Sequence, residues 1–174
     1  RSHAVVNTAG LIDMSSLAKF EVSGQGAAGW LDSLCTSRMP ETGRVAPSLI
    51  LTKKGGIAAF IAILRTAPDR FLVTASALLE QHLDDLLKRG APQDVRVSNE
   101  TAARGTLLLA GPKARDILHA VTRTDVSDAK LARGSLAPMN IGIVPAMVAR
   151  LSEVGSTGFE IHVESPYLVA TYEA

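Results

Sequence analysis

Apolar and polar residues alternate along Lys19-Phe20-Glu21-Val22-Ser23, the period of a strand. After Gly24, the stretch Ala27-Ala28-Gly29-Trp30-Leu31-Asp32-Ser33-Leu34 spaces its apolar residues as a helix does. The same order returns at Thr106-Leu107-Leu108-Leu109-Ala110, Gly111-Pro112 and Ala114-Arg115-Asp116-Ile117-Leu118, so that Gly24 matches Gly111, Ala27 matches Ala114 and Leu31 matches Leu118. A hairpin is predicted after each copy. In the first, residues 48–51 and 57–64 flank Lys53-Lys54-Gly55-Gly56, whose glycines permit the positive φ of a tight turn. In the second, 137–141 and 144–151 flank Gly142, with Pro138 and Pro145 pointing to edges or bulges. Each copy closes with a strand and a helix, 70–75 into 78–87 and 158–163 into a helix opening near Tyr167.

This pattern predicts an α+β protein made of two pseudo-repeated halves of antiparallel sheet with flanking helices, divided as 1–95 and 96–174, with 90–101 as the connector. A chain of 174 residues is long enough to bury a core. The final helix shows neither cap nor breaker before Ala174, which reads as a C-terminally truncated unit missing its downstream part.

Composition narrows the function classes. With 47% hydrophobic and 20% charged residues the chain is neither disordered nor fibrous. Lys+Arg is 18 against Asp+Glu 17, without a dense basic run, so nucleic acid is not an expected partner. No apolar run approaches the ~18 residues of a membrane span. The single cysteine, Cys35, excludes an internal disulfide, so a reducing cytoplasm, or the mitochondrial matrix in a eukaryote, is the expected setting. Cys35 itself reads as a small core residue, and Lys53-Lys54 as solvated surface. The four histidines, His3, His82, His119 and His162, lack metal-ligand spacing, with His82 and His119 expected on helix surfaces. Gly24-Gln25-Gly26-Ala27-Ala28-Gly29 has the G-x-G-x-x-G spacing but reads as a tight strand-to-helix turn rather than a phosphate cradle, since its twin in the second copy is Gly111-Pro112.

The stretch Ala9-Gly10-Leu11-Ile12-Asp13-Met14-Ser15-Ser16-Leu17-Ala18-Lys19-Phe20-Glu21-Val22-Ser23-Gly24 resembles the opening of the glycine-cleavage T-protein (aminomethyltransferase) family, above all the T-protein-like part of flavin-dependent dimethylglycine and sarcosine dehydrogenases. The likeness continues through Gly43-Arg44-Val45, Lys54-Gly55-Gly56-Ile57, Asp69-Arg70-Phe71-Leu72-Val73-Thr74, Gly111-Pro112-Lys113-Ala114-Arg115 and Gly155-Ser156-Thr157-Gly158-Phe159-Glu160. It implies a T-protein-like folate-binding fold, tetrahydrofolate as cofactor, and transfer of a one-carbon unit as an aminomethyl or methylene group. It further implies a small methylated amine as substrate, and FAD only in a separate domain or subunit.

The resemblance also assigns positions. Glu160 falls where the family places the glutamate that grips the pterin ring, and a carboxylate can accept two parallel N–H bonds from an amino-pyrimidine edge. Strand alternation puts Phe159, Ile161 and Val163 on one face and Glu160 with His162 on the other, a face that the residues alone would leave solvated. The family's catalytic aspartate falls at Phe60, whose ring can neither carry negative charge nor transfer a proton, so the catalytic residue is left unassigned. Glu153 stands in place of the family's tyrosine and Ser156 in place of a glutamate. Glu160, Glu153 and Phe60 are thus the expected cofactor-binding positions. Two readings follow: a folate-dependent one-carbon-transfer domain tied to a flavin-linked amine oxidoreductase, or a non-catalytic module that keeps the fold.

Overall fold

A computed structural model describes residues 2–151 and 157–174, and Glu153 and Ser156 lie outside the described residues. In chain order the elements are α1 (Ser2–Asn7), β1 (Gly10–Asp13), β2 (Ala18–Ser23), α2 (Ala27–Leu34), β3 (Arg44–Leu51), β4 (Ile57–Ala67), β5 (Arg70–Ala75), α3 (Glu80–Gly90), β6 (Arg96–Asn99), β7 (Arg104–Ala110), α4 (Ala114–Val121), β8 (Leu136–Ile141), β9 (Val144–Leu151), β10 (Gly158–Glu164) and α5 (Leu168–Glu173). The strand-glycine-helix units stand where the periodicity predicts them. One five-stranded antiparallel sheet runs β3-β4-β5-β2-β6 and the other β1-β7-β10-β9-β8.

The boundary between the halves differs from the expected division at 95/96. The compact units are Ser16–Thr101, and Arg1–Ser15 together with Ala102–Ala174. The reason is an exchange of edge strands. β1 directly precedes β2 but pairs with β7, whereas β6 directly precedes β7 but pairs with β2. The repeat in sequence is therefore not the unit in space. The presumed connector contains β6, whose Arg96-Val97-Ser98-Asn99 offers one apolar residue in four and so carries no alternation to detect. α1 and β1 also escape the pattern. β1 has only four residues, and Leu11 and Ile12 are 36% and 43% exposed.

The two units repeat each other bond for bond where the edge strand enters. Asp13 Oδ1 accepts from Ser15 N, as Asn99 Oδ1 accepts from Thr101 N. Ser15 Oγ then accepts from Thr106 N, as Thr101 Oγ1 accepts from Lys19 N. The strand-to-helix turns match too, with φ +127° at Gly24 and +129° at Gly111. A Cβ on Gly24 would lie inside the envelope of Asp94 O, and one on Gly111 would meet Thr8 O at 2.6 Å, so in both turns the chain leading to the edge strand touches bare backbone.

Within Ser16–Thr101, Leu31 of α2 and Leu83 and Leu87 of α3 are fully buried in one cluster with Phe20, Ile61, Phe71 and Val73 of the sheet. Within the other unit, Leu118 of α4 packs in a cluster with Leu107, Phe159, Ile161 and Val163. Burial of each such side chain stabilises by about 1.5–3 kcal/mol relative to leaving it in water. α3 also places Glu80 in its first turn and Lys88 and Arg89 in its last, as the helix dipole favours.

Candidate functional site

β10 lies at the centre of its sheet, between β7 and β9, and residues 158–163 are all buried, so its second face is covered as well as its core face. On that second face Glu160 stands opposite Leu108 and Ala149, and His162 opposite Thr106 and Met147. Glu160 is 9% exposed, His162 2%, and Thr106 and Ala149 not at all. The face expected from the residues alone to be solvated is therefore buried. An ionised carboxylate in such a place is costly unless it is paired or hydrogen-bonded.

What Glu160 has is incomplete. Its Oε2 lies 3.3 Å from His162 Nε2. Among the described residues both of these buried atoms are without a hydrogen-bond partner. The other ring nitrogen, Nδ1, is 3.1 Å from Thr106 Oγ1, inside hydrogen-bond reach. The result is a short polar row, Thr106-His162-Glu160, crossing from β7 to β10. An ionised carboxylate accepts and cannot donate, so the row ends in an acceptor with unused capacity.

The other sheet shows that this row is not a demand of the fold. There Lys19 pairs with Thr74 and Glu21 with Leu72, in the register that Thr106 keeps with His162 and Leu108 with Glu160. The twin of Glu160 is thus Leu72, that of His162 is Thr74, and that of Thr106 is Lys19. Both Leu72 and Thr74 are buried. Thr106 went unread in the sequence, where one hydroxyl ahead of three leucines looks like ordinary strand composition. Aligning the repeats position by position is the signal that would have exposed it.

Phe60 sits on β4 opposite Leu49 and is 55% exposed. Strand alternation sends Ala59, Ile61 and Ile63 into the core and turns Phe60 to the opposite face. Phe60 and Glu160 belong to different units, each with its own sheet. No carboxylate occupies the neighbouring positions of β4, whose sequence is Ile57-Ala58-Ala59-Phe60-Ile61-Ala62. Of the remaining residues weighed from sequence, His82, His119, Lys53 and Lys54 are exposed. Cys35 is half-buried at a bridge to Ile50, and burial, against a hydrogen bond with Ser48, pushes its thiol up to about 11. A thiol so raised is a poor nucleophile at neutral pH.

Across residues 2–174 the sequence matches the family described as the GCVT N-terminal domain. The chain belongs to that family. Among relatives of this GCVT N-terminal domain, mitochondrial dimethylglycine dehydrogenase of Rattus norvegicus is 31% identical over 173 residues, covering 97% of the chain and 20% of the dehydrogenase. The aminomethyltransferase of Streptomyces coelicolor is 31% identical over 176 residues, covering 99% of the chain and 47% of that enzyme. The domain thus spans about half the length of the aminomethyltransferase and a fifth of the dehydrogenase. In three dimensions it matches the glycine cleavage system aminomethyltransferase T of Bartonella henselae with a TM-score of 0.84 at 24% identity, over 98% of the chain and 46% of that protein. Heterotetrameric sarcosine oxidase of Corynebacterium sp. U-96 gives 0.73 at 20% identity, over 98% of the chain and 85% of the matched subunit. The T-protein fold expected from the motifs is the fold of this chain.

Proposed function

We propose that this GCVT N-terminal domain binds tetrahydrofolate and serves one-carbon transfer, with Glu160 as the group that grips the pterin. The observation that carries this reading is a carboxylate 9% exposed on a central strand, with Oε2 buried and short of a hydrogen-bond partner among the described residues. A ligand edge that presents paired N–H donors suits it, because charge-assisted, bidentate hydrogen bonds are the strong ones. Tetrahydrofolate, when bound, supplies the amine nitrogen that takes up the one-carbon unit. Glu160 would orient it, and the surrounding burial would keep water from competing for the carboxylate. Phe60 and Glu153 are proposed as further cofactor-binding positions on the family resemblance alone, Phe60 without acid or base capacity. The names of the relatives support a wider setting in which a flavoprotein domain or subunit oxidises a small N-methyl amine and this domain receives the carbon.

The test is calorimetric titration of the intact protein with tetrahydrofolate. Saturable binding is expected, weakened roughly 10- to 100-fold by Glu160→Gln, which keeps the shape but loses the charged acceptor. Absence of saturable binding by the unmodified protein overturns the proposal. A second reading, a folate-binding or structural module without transfer activity, is favoured by the exposed Phe60 at the family's aspartate position. Phe60→Asp separates the two. One-carbon transfer that appears only in the variant supports the lapsed site, whereas transfer by the unmodified protein removes that reading.

A further inference from the structure

Glu160 is the only member of its row that sequence resemblance assigns, and its partners have no assigned task. We propose that His162, held by Thr106, is the positioning residue of the folate site: its Nε2 lies 3.3 Å from Glu160 Oε2, close but not aligned as a hydrogen bond, and by donating to that oxygen it would fix the carboxylate in one orientation for the ligand. This inference rests on the reading of Glu160 given above.

The proton arrangement follows from the contacts. Thr106 Oγ1 and His162 Nδ1 are 3.1 Å apart, and Glu160 Oε2 and His162 Nε2 3.3 Å. An ionised carboxylate oxygen offers only lone pairs, so a bare Nε2 lone pair facing it would be repelled. Facing an ionised carboxylate, the ring carries its proton on Nε2. In the neutral ring this requires Nδ1 to be an acceptor, and the Thr106 hydroxyl is the donor in reach. In the charged ring Nδ1–H donates to the same hydroxyl. Either way Thr106 governs which nitrogen faces Glu160, the role a neighbouring hydrogen bond plays for imidazoles generally.

Burial adds the reason for the arrangement. His162 is 2% exposed and Oε2 is sealed from solvent, so neither atom has water as an alternative partner. The 12% of the Glu160 side chain that remains open does not lie on Oε2. Holding one lone pair of Oε2 leaves its second lone pair and those of Oε1 for the paired N–H donors of a ligand. A purely architectural role is disfavoured by the twin sheet, which builds the same register with Lys19, Leu72 and Thr74 in these three places.

Tetrahydrofolate affinity of the intact protein, measured by calorimetry, tests this with a set of variants. His162→Leu should weaken binding about tenfold and Thr106→Val severalfold. His162→Gln, which can return an N–H donor near the Nε2 position, should stay within about threefold of the unmodified protein. In a Glu160→Gln background His162→Leu should add little, because His162 acts through the carboxylate. Unmodified affinity in His162→Leu, equal damage in His162→Gln and His162→Leu, or a full tenfold loss persisting in the Glu160→Gln background each overturns the proposal. Unfolding midpoints of the same proteins without ligand give an independent readout. Non-additive shifts are expected for the Glu160 and His162 pair, and additive shifts overturn the assigned contact. If the unmodified protein fails to bind tetrahydrofolate, the function proposed above fails, and this ligand-free comparison still judges the contact on its own.

Discussion

Replacing Gly24 by alanine tests the turn on which the exchanged strand depends. Two costs add. Gly24 holds φ at +127°, which L side chains rarely adopt, and strain of this kind amounts to about 1–3 kcal/mol. The new Cβ would also press on Asp94 O, with Asp94 C at 3.0 Å and Val95 Cα at 3.2 Å. Those atoms are backbone, one and two residues ahead of β6, so relief requires moving the strand that pairs Val97 with Val22 and Asn99 with Phe20. Together the loss is about 4 kcal/mol, a large share of the roughly 5–15 kcal/mol by which domains are usually stable. Urea unfolding followed by far-UV circular dichroism should show the midpoint fall by about 2 M, taking a slope near 2 kcal/mol/M. Gly29→Ala is the matched control. Gly29 lies inside α2 with nothing within 4 Å of an added Cβ, and that change should stabilise by about 0.5–1 kcal/mol. A Gly24→Ala midpoint within about 0.5 M of the unmodified protein, alongside a stabilised Gly29→Ala, would refute the argument that backbone contact holds the edge strand.

Other expectations follow from the same structure. Gly111→Ala should destabilise by a comparable amount in the same assay, since its Cβ would meet Thr8 O at 2.6 Å and Ala9 Cα at 2.7 Å at φ +129°. Cys35 should be labelled slowly by thiol reagents at pH 8, with the rate rising towards a midpoint near 11 rather than its ordinary 9.0, because burial disfavours the thiolate. The sign for stability is the same: the unfolded thiol ionises first, so any contribution is intact below 9.0 and is lost as pH climbs to about 11. Asp128→Ala should cost less than about 1 kcal/mol in thermal unfolding. Although Asp128 meets both Arg115 and Arg150, its side chain is 77% exposed and water screens the pairs.

Much of the fold was legible because its long strands obey simple period rules. Residues 57–64 and 70–75 are dense in branched and aromatic side chains, and the Gly24 and Gly111 turns announce two copies of one plan. The short edge strands were not, because β1 and β6 are held by backbone pairing and by Asp13, Ser15, Asn99 and Thr101 rather than by alternating apolar residues. A pairing partner more than ninety residues away, as Ser15 is from Thr106, leaves no local mark. For the site, alternation correctly put Glu160 and His162 on one face, but only the coverage of that face in three dimensions made it buried. Phe60 was legible as a departure from the family, since a phenyl ring on an exposed position has no acid–base chemistry whatever surrounds it.

The exchange of β1 and β6 also sets an order of assembly. Every strand of the sheet β3-β4-β5-β2-β6 is contained within Ser16–Thr101, so that sheet can close while the rest of the chain is still being synthesised. β1, made earlier, has to wait for β7, and the segment between them can already be folded when they meet. The middle of the chain is in effect a finished insert carried by an unfinished host. A truncation that removes the first 15 residues should therefore damage the sheet that holds Glu160, far along the sequence, and spare the one that begins next door.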